Sequence, residues 1–198
     1  MDYRVVTVPG PQLLRDAVSL HHEALSHRSF ITAFGPRFLT LLYLGLLRRG
    51  DGFLVVATER EQLVGFILAS TDSSRLMSAV ARSPLRLATT ILPVLVRHPP
   101  LVAKLVQTLA YGRRRRDAVP AELLVIAVAP ERRSSGIGRR LVAQLRSELR
   151  GRGIDAYRVT VHADMAGANH FYAENGLRLS GDFRLYGVSW NVYVDHLT

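Results

Sequence analysis

The sequence contains one short stretch whose residue types and spacing suit the binding of a phosphorylated ligand. Gly136 and Gly138 stand between an apolar run, residues 123–128, and a segment with leucines at every fourth position from Leu141. This pattern predicts a strand, a tight turn and a helix in succession. Glycine lets a ligand approach the backbone closely, and the first N–H groups of a helix lack intrahelical acceptors. Together with the helix dipole, these groups predict a site for phosphate oxygens, such as those of a diphosphate.

Two common phosphate-binding motifs do not fit this turn. The dinucleotide-binding fingerprint requires a third glycine, and the corresponding residue is Leu141. The P-loop requires lysine and then serine or threonine after the second glycine, where this sequence has Arg139 and Arg140. A helix that merely begins with glycines is the structural alternative.

Two motifs in this order resemble those of the GNAT N-acetyltransferases. Arg133-x-x-Gly136-x-Gly138, between a strand and a helix, resembles the acetyl-CoA-binding motif of that family. Further along, residues 168–177 resemble the family's Ala-x-x-Phe-Tyr-x-x-x-Gly-Phe segment, with Leu177 in place of the last phenylalanine. The resemblance implies a single α/β domain over residues 1–198. Its sheet would be mixed and mostly antiparallel, flanked by helices and splayed where CoA inserts.

The resemblance also implies which residues bind acetyl-CoA. In the family, the amides of the turn bind the CoA pyrophosphate, and a backbone N–H of the preceding strand stabilises the oxyanion. The corresponding residues here are Ile126, Ala127, Val128, Arg133, Ser134, Ser135, Gly136, Ile137, Gly138 and Arg139. Asn169 shares a predicted helical face with Tyr172 and could bind the pantetheine or phosphate end, with a helix cap or a surface position as the alternative.

Acyl transfer from a thioester to an amine needs a base for the amine, a donor for the oxyanion and an acid for the thiolate. The resemblance makes Tyr172 the candidate acid, with packing of a helix face as its alternative. Glu122 has the spacing from Arg133 at which some histone acetyltransferases of the superfamily carry a catalytic glutamate, and apolar neighbours could make it a stronger base. His162 is the rival base, because histidine titrates near neutral pH. A water relay is the third alternative.

The implied function is acyl-CoA-dependent N-acyl transfer, with acetyl moving from acetyl-CoA to a primary amine by direct attack in a ternary complex. The sequence has no cysteine to form an acyl-enzyme. One alternative is an N-acyltransferase that uses long-chain acyl-CoA or acyl-carrier protein. Another is a non-catalytic CoA-binding or membrane-surface module. No histidines show metal-ligand spacing with a carboxylate, so we expect no metal.

Net charge and composition limit the kinds of binding partner that we expect for this protein. The net charge is +10, and Lys104 is the only lysine. No nucleic-acid-binding motif accompanies this charge, so we expect no nucleic-acid partner. The N-terminus lacks the apolar core of a signal peptide, which predicts a cytoplasmic protein.

Residues 73–118 do not fit a minimal acetyltransferase and predict a helical insert. Prolines at 84, 93, 99 and 100 should divide it into short helices. It could be a lid over the acceptor pocket, a homodimer surface or an amphipathic membrane-surface element, with ordinary packing as the simplest alternative. No apolar run approaches the length of a spanning helix.

Periodicity predicts the remaining elements. The predicted strands are 3–8, 53–57, 63–70, 121–128, 156–161, 177–181 and 190–194, and the predicted helices are 11–27, 38–50, 136–151 and 165–175. Residues 28–36 form a predicted loop that, by the resemblance, helps to shape the acceptor site. Its candidate residues are Ser29, Phe30, Thr32, Phe34 and Gly35.

Overall fold

The computed structural model describes residues 1–25, 30–75, 84–104, 107 and 119–197. Within them, one sheet of seven strands runs in the order β1-β2-β3-β4-β5-β7-β6. Every neighbouring pair is antiparallel except β4 and β5. The strands are β1 Asp2–Val6, β2 Gly52–Glu59, β3 Gln62–Ser70, β4 Glu122–Val128, β5 Ala156–His162, β6 Arg178–Leu185 and β7 Val188–His196.

Helices cover both faces of this sheet. They are α1 Pro11–Leu25, α2 Gly35–Leu47, α3 Pro84–Arg97, α4 Ile137–Gly151 and α5 Ala166–Glu174. Leu39 of α2 and Leu14 of α1 belong to the core on one face, and Ile91 of α3 joins them. The leucines repeated along α4, beginning with Leu141, fill the core on the opposite face. The expected mixed, mostly antiparallel α/β architecture is therefore confirmed.

Several predicted boundaries differ from the observed ones. The loop predicted at 28–36 contains a short 3-10 helix, Phe30–Phe34, and the first residues of α2. Ser29 lies outside the described residues. Pro93 lies inside α3 instead of ending a helix, so the prediction that this proline divides the segment is wrong; the packing of α3 on the core offsets the backbone hydrogen bond that proline cannot donate.

The last two strands are longer than predicted and meet at a tight turn. β6 reaches Leu185 and β7 begins at Val188. The two residues between them, Tyr186 and Gly187, both have positive φ angles, 55° and 77°. Such a turn matches the twist of a hairpin, which lets both strands continue to the turn itself.

The predicted insert is only partly described. Residues 76–83, 105–106 and 108–118 lie outside the described residues. In the described part of the chain, no helix combines the length and the apolar character needed to cross a bilayer.

Candidate active site

The two parallel strands of the sheet separate shortly after they begin to pair. β4 and β5 are paired only through Glu122 with Arg158 and Leu123 with Val159. The register of β3 also shifts at this point: Val125 faces Leu68 and Leu123 faces Ala69, so Leu124 is the extra residue of a β-bulge. Bulges bend a strand and interrupt its pairing, and they recur beside active sites. The rest of β4 therefore borders an opening in the sheet.

The hydrogen-bonding direction of β4 shows which of its amides point into this opening. The N–H of Ala129 donates to the carbonyl oxygen of Val64 on β3 at 2.9 Å. Because direction alternates along a strand, the N–H of Ala127 also points to β3. The N–H groups of Ile126 and Val128 point the other way, into the opening. Of the three predicted oxyanion donors, Ala127 is therefore in the wrong orientation.

The turn after β4 brings backbone donors to the mouth of the opening. Gly136 precedes α4 with a φ of +80°, and the first intrahelical bond is donated by the N–H of Arg140 to the carbonyl of Gly136 at 3.1 Å. Residues 137–139 therefore have amides without intrahelical acceptors, at the positive end of the helix dipole. Gly136 has no side chain to cap them. These donors suit a phosphate oxygen, and the binding of one stays a prediction.

A groove of about 470 Å³ lies against these donors. Its lining residues are Val128, Arg132, Arg133, Ser134, Gly136, Ile137, Gly138 and Arg139 on one side, and Gly167, His170, Phe171, Glu174 and Asn175 on the other. Arg133 donates from Nε to the carbonyl of Val128 at 3.4 Å. Ser135, which is not among the lining residues, donates its hydroxyl to the carbonyl of Arg132 at 2.5 Å and so closes the turn.

Positions 136 and 138 of the motif require glycine for different structural reasons. A Cβ on Gly136 would have no heavy atom within 4 Å, so its positive φ is what requires glycine. A Cβ on Gly138 would lie 3.1 Å from Cε2 of Phe171. The missing side chain of Gly138 thus makes room for the aromatic ring of α5, which forms the opposite wall of the groove. The sequence motifs at 133–138 and 168–177 meet at this contact.

Asn169 connects α5 to the strands beside it. Its Nδ2 donates to the carbonyls of His162 at 3.0 Å and Met165 at 2.9 Å. Its Oδ1 accepts from Asn191 Nδ2 at 2.7 Å and from the Tyr193 hydroxyl at 3.2 Å. Both ends of the amide are occupied within the protein. These contacts support a positioning role for Asn169, and its predicted contact to the cofactor stays a prediction.

Tyr172 is buried beneath α5, behind the groove. Its ring lies 5.4 Å from that of Phe171 and 6.0 Å from that of Tyr193, measured between ring centroids. Burial raises the pKa of the Tyr172 phenol well above its ordinary value, so the hydroxyl keeps its proton. The side chain can donate a hydrogen bond, and its assignment as the acid stays a prediction.

Glu122 is held in an ion pair at the start of β4. Its Oε2 accepts from Nε and Nη2 of Arg158 at 3.1 and 2.8 Å, and its Oε1 accepts from Thr160 Oγ1 at 3.3 Å. Arg158 also donates to Ser73 Oγ at 2.9 Å. Both charged side chains are largely buried. The carboxylate therefore compensates a buried guanidinium, a role that the sequence pattern did not predict.

His162 lies further along the same face, beside the opening. Arg158, Thr160 and His162 alternate along β5, so they share one face of the sheet. Nδ1 of His162 contacts the carboxylate of Asp164, and its ring packs edge-on against Trp190, with 5.1 Å between centroids. Sequence reasoning missed both neighbours, although an aspartate two residues after the histidine was a usable signal. A carboxylate at Nδ1 favours the tautomer in which Nε2 carries the lone pair.

Known proteins resemble this chain in sequence motif and in fold. Residues 102–177, which contain both motifs, match the acetyltransferase (GNAT) family. No curated protein matches the sequence. Among solved structures, the PaiA N-acetyltransferase of Thermoplasma acidophilum in complex with coenzyme A is 15% identical, with 99% of both chains covered and a TM-score of 0.62.

Two further structures show the same likeness. The ribosomal-protein-alanine N-acetyltransferase of Brucella melitensis is 16% identical, covers 99% of both chains and has a TM-score of 0.64. The ribosomal-protein-S18-alanine N-acetyltransferase of Escherichia coli is 15% identical over 100% of this chain and 95% of its own, with a TM-score of 0.57. At these identities the likeness shows the fold. The match to the acetyltransferase (GNAT) family covers the part of the chain that carries the groove and both motifs, and it agrees with the resemblance that the motifs predicted.

Proposed function

We propose that the protein transfers an acetyl group from acetyl-CoA to a primary amine by direct attack in a ternary complex. The observation that carries the proposal is the position of the groove. Its backbone donors lie at the N-terminus of α4, and it reaches Val128 at the end of β4, the strand that is unpaired with β5 after Leu123. A pyrophosphate bound by the amides of residues 137–139 would direct the thioester end of the donor toward the amides of Ile126 and Val128.

The amides of β4 would stabilise the charge that develops during the transfer. The amine nitrogen attacks the thioester carbonyl carbon, a C–N bond forms, and the carbonyl oxygen becomes negative. A preorganised backbone N–H aimed at that oxygen stabilises it, and this contribution is usually a large one. Of the three predicted donors, the amides of Ile126 and Val128 point into the opening.

His162 is the base that the contacts support best. Glu122 is engaged by Arg158 and Thr160, whereas Asp164 holds the Nδ1 side of the His162 ring and leaves Nε2 as the basic atom. His162 is three positions beyond Val159, the last residue of β5 that pairs with β4, so it lies about 10 Å further along the strand. In the proposed reaction Nε2 accepts the proton that the amine loses.

Tyr172 would assist the leaving group. As the C–S bond breaks, the sulfur of CoA takes up the electron pair and needs a hydrogen-bond donor or a proton. Since burial raises the pKa of Tyr172 above that of an ordinary thiol, its phenol would mainly donate a hydrogen bond to the thiolate, which then takes its proton from solvent. A Tyr172→Phe variant should therefore lose turnover while it keeps its affinity for acetyl-CoA.

The release of free CoA thiol in the presence of an amine panel tests the proposal. The wild-type protein should release thiol with at least one amine, and His162→Gln should lower kcat by about 100-fold with an unchanged KM for acetyl-CoA. His196→Gln, at the exposed far end of β7, is the matched control and should be unaffected. Tight acetyl-CoA binding without turnover for any amine would instead support the non-catalytic alternative.

A further inference from the structure

The described part of the insert exposes an unusual amount of apolar surface. Leu92 and Val96 of α3 are 61% and 72% exposed, and Val102 is 44% exposed. These are three of the six large hydrophobic residues that are exposed among the described residues. Pro93 and Arg97 lie exposed beside them. We call these five residues the insert surface.

The folding of α3 does not account for this exposure. The opposite side of the helix carries Leu87, Ile91, Val94 and Leu95, which pack into the core shared with α1 and α2. That core anchors α3 without help from Leu92 or Val96. A helix of an ordinary soluble domain presents polar residues on its outer side. The insert surface therefore needs another explanation.

Charge is also concentrated in this part of the sequence. The 46 residues of the insert, 73–118, contain nine arginines and lysines and one acidic residue, Asp117. The other 152 residues contain 17 basic and 15 acidic side chains, so most of the net charge of +10 belongs to the insert. A basic segment that also exposes apolar side chains has the composition of elements that bind anionic lipid surfaces.

We propose that the insert surface docks on the surface of an anionic lipid bilayer. Leu92, Val96 and Val102 would enter the interface between headgroups and acyl chains, while Arg97 contacts the anionic headgroups and the net positive charge of the insert attracts the protein to them. A second copy of the chain is a poorer occupant. A two-fold interface would place two strongly basic segments against each other, and like charges would oppose it.

The insert lies close to the acceptor side of the proposed active site. Gln107 accepts a hydrogen bond at Oε1 from the backbone N–H of Tyr186 at 3.2 Å, so the insert reaches the turn between β6 and β7. β7 carries Trp190, which packs against His162. α3 also contacts the 3-10 helix Phe30–Phe34. Docking would therefore place the acceptor side of the site next to the lipid surface.

Vesicle co-sedimentation tests this proposal independently of acetyl transfer. The full-length protein is mixed with vesicles of phosphatidylcholine alone, or of phosphatidylcholine with phosphatidylglycerol, at low and high salt. We expect binding to the anionic vesicles that weakens at high salt, and no comparable binding to neutral vesicles. The variant Leu92→Ser/Val96→Ser should bind the anionic vesicles about tenfold more weakly. Arg97→Ser should weaken binding about fivefold.

A matched control separates this surface from general hydrophobicity. Leu179 of β6 is 60% exposed, and Leu179→Ser should leave vesicle binding unchanged. All of these residues are exposed, so the variants should fold normally. The proposal is overturned if the wild-type protein does not bind the anionic vesicles, or if the Leu92→Ser/Val96→Ser variant binds them as well as the wild type does. A dimer in light scattering that the same variant dissociates, or binding to polyglutamate instead of vesicles, would also overturn it and assign the surface to a protein partner.

Discussion

Replacement of Glu122 by glutamine distinguishes a structural carboxylate from a catalytic one. The side chains of Glu122 and Arg158 are 13% and 7% exposed, and the carboxylate accepts two hydrogen bonds from the guanidinium. Removing one partner of a buried ion pair costs about 3–5 kcal/mol, because the other charge stays buried. Glutamine keeps one oxygen that can accept from Arg158. We therefore expect Glu122→Gln to lose about 3 kcal/mol of unfolding free energy.

Urea unfolding monitored by Trp190 fluorescence, together with kcat measured on the folded fraction, provides the assay. Thr160→Val removes only the 3.3 Å hydrogen bond to the same carboxylate and should lose about 1 kcal/mol. The kcat of Glu122→Gln should stay far above that of His162→Gln. A Glu122→Gln protein of unchanged stability and abolished turnover would refute this reasoning and make Glu122 the base.

Three further predictions concern the packing around the site and the core. Gly138→Ala should weaken acetyl-CoA binding and cost about 1–3 kcal/mol, since its Cβ would meet Phe171 at 3.1 Å, and Phe171→Leu should restore part of both losses in calorimetry and urea unfolding. Asn169→Ala should cost about 2–3 kcal/mol through its lost hydrogen bonds; normal stability with a raised KM for acetyl-CoA would instead favour a ligand contact. Burial, and to a smaller extent the charge of His22, lowers the pKa of His21 from 6.5 to about 4. As the pH falls, His21 is therefore protonated in the unfolded chain before it is protonated in the folded protein. Its contribution to stability should be complete above pH 6.5 and should fall by about 3 kcal/mol as the pH drops to 4, a dependence that His21→Gln should flatten in urea titrations at several pH values.

The sequence predicted what local pattern determines. The alternation of strands, the leucine repeat of α4 and the glycine turn before it are local features, and all of them are found in the structure. The two motifs were enough to predict the family that residues 102–177 match, because each places particular residue types at fixed spacing between particular elements.

The sequence could not show what depends on contacts between distant residues. The bulge at Leu124 arises from the register of β4 against β3, and no residue type at that position announces it. Glu122 and Arg158 are 36 positions apart, so their ion pair was not visible beside the resemblance to a catalytic glutamate. Gly138 was expected to admit a ligand, and only the packing of α5 revealed the ring of Phe171 against it.

The binding of acetyl-CoA at the N-terminus of α4 is the central claim, and two glycines at the ends of this helix test it. Gly136 and Gly153 have similar positive φ angles, 80° and 70°, and a Cβ on either would meet nothing within 4 Å. Alanine at each should therefore cost a similar amount, about 1–2 kcal/mol. In isothermal titration calorimetry with acetyl-CoA, we predict that the wild type and Gly153→Ala bind alike, while Gly136→Ala binds much more weakly. Equal affinity of the two variants, or a wild-type protein that does not bind acetyl-CoA, would contradict the claim.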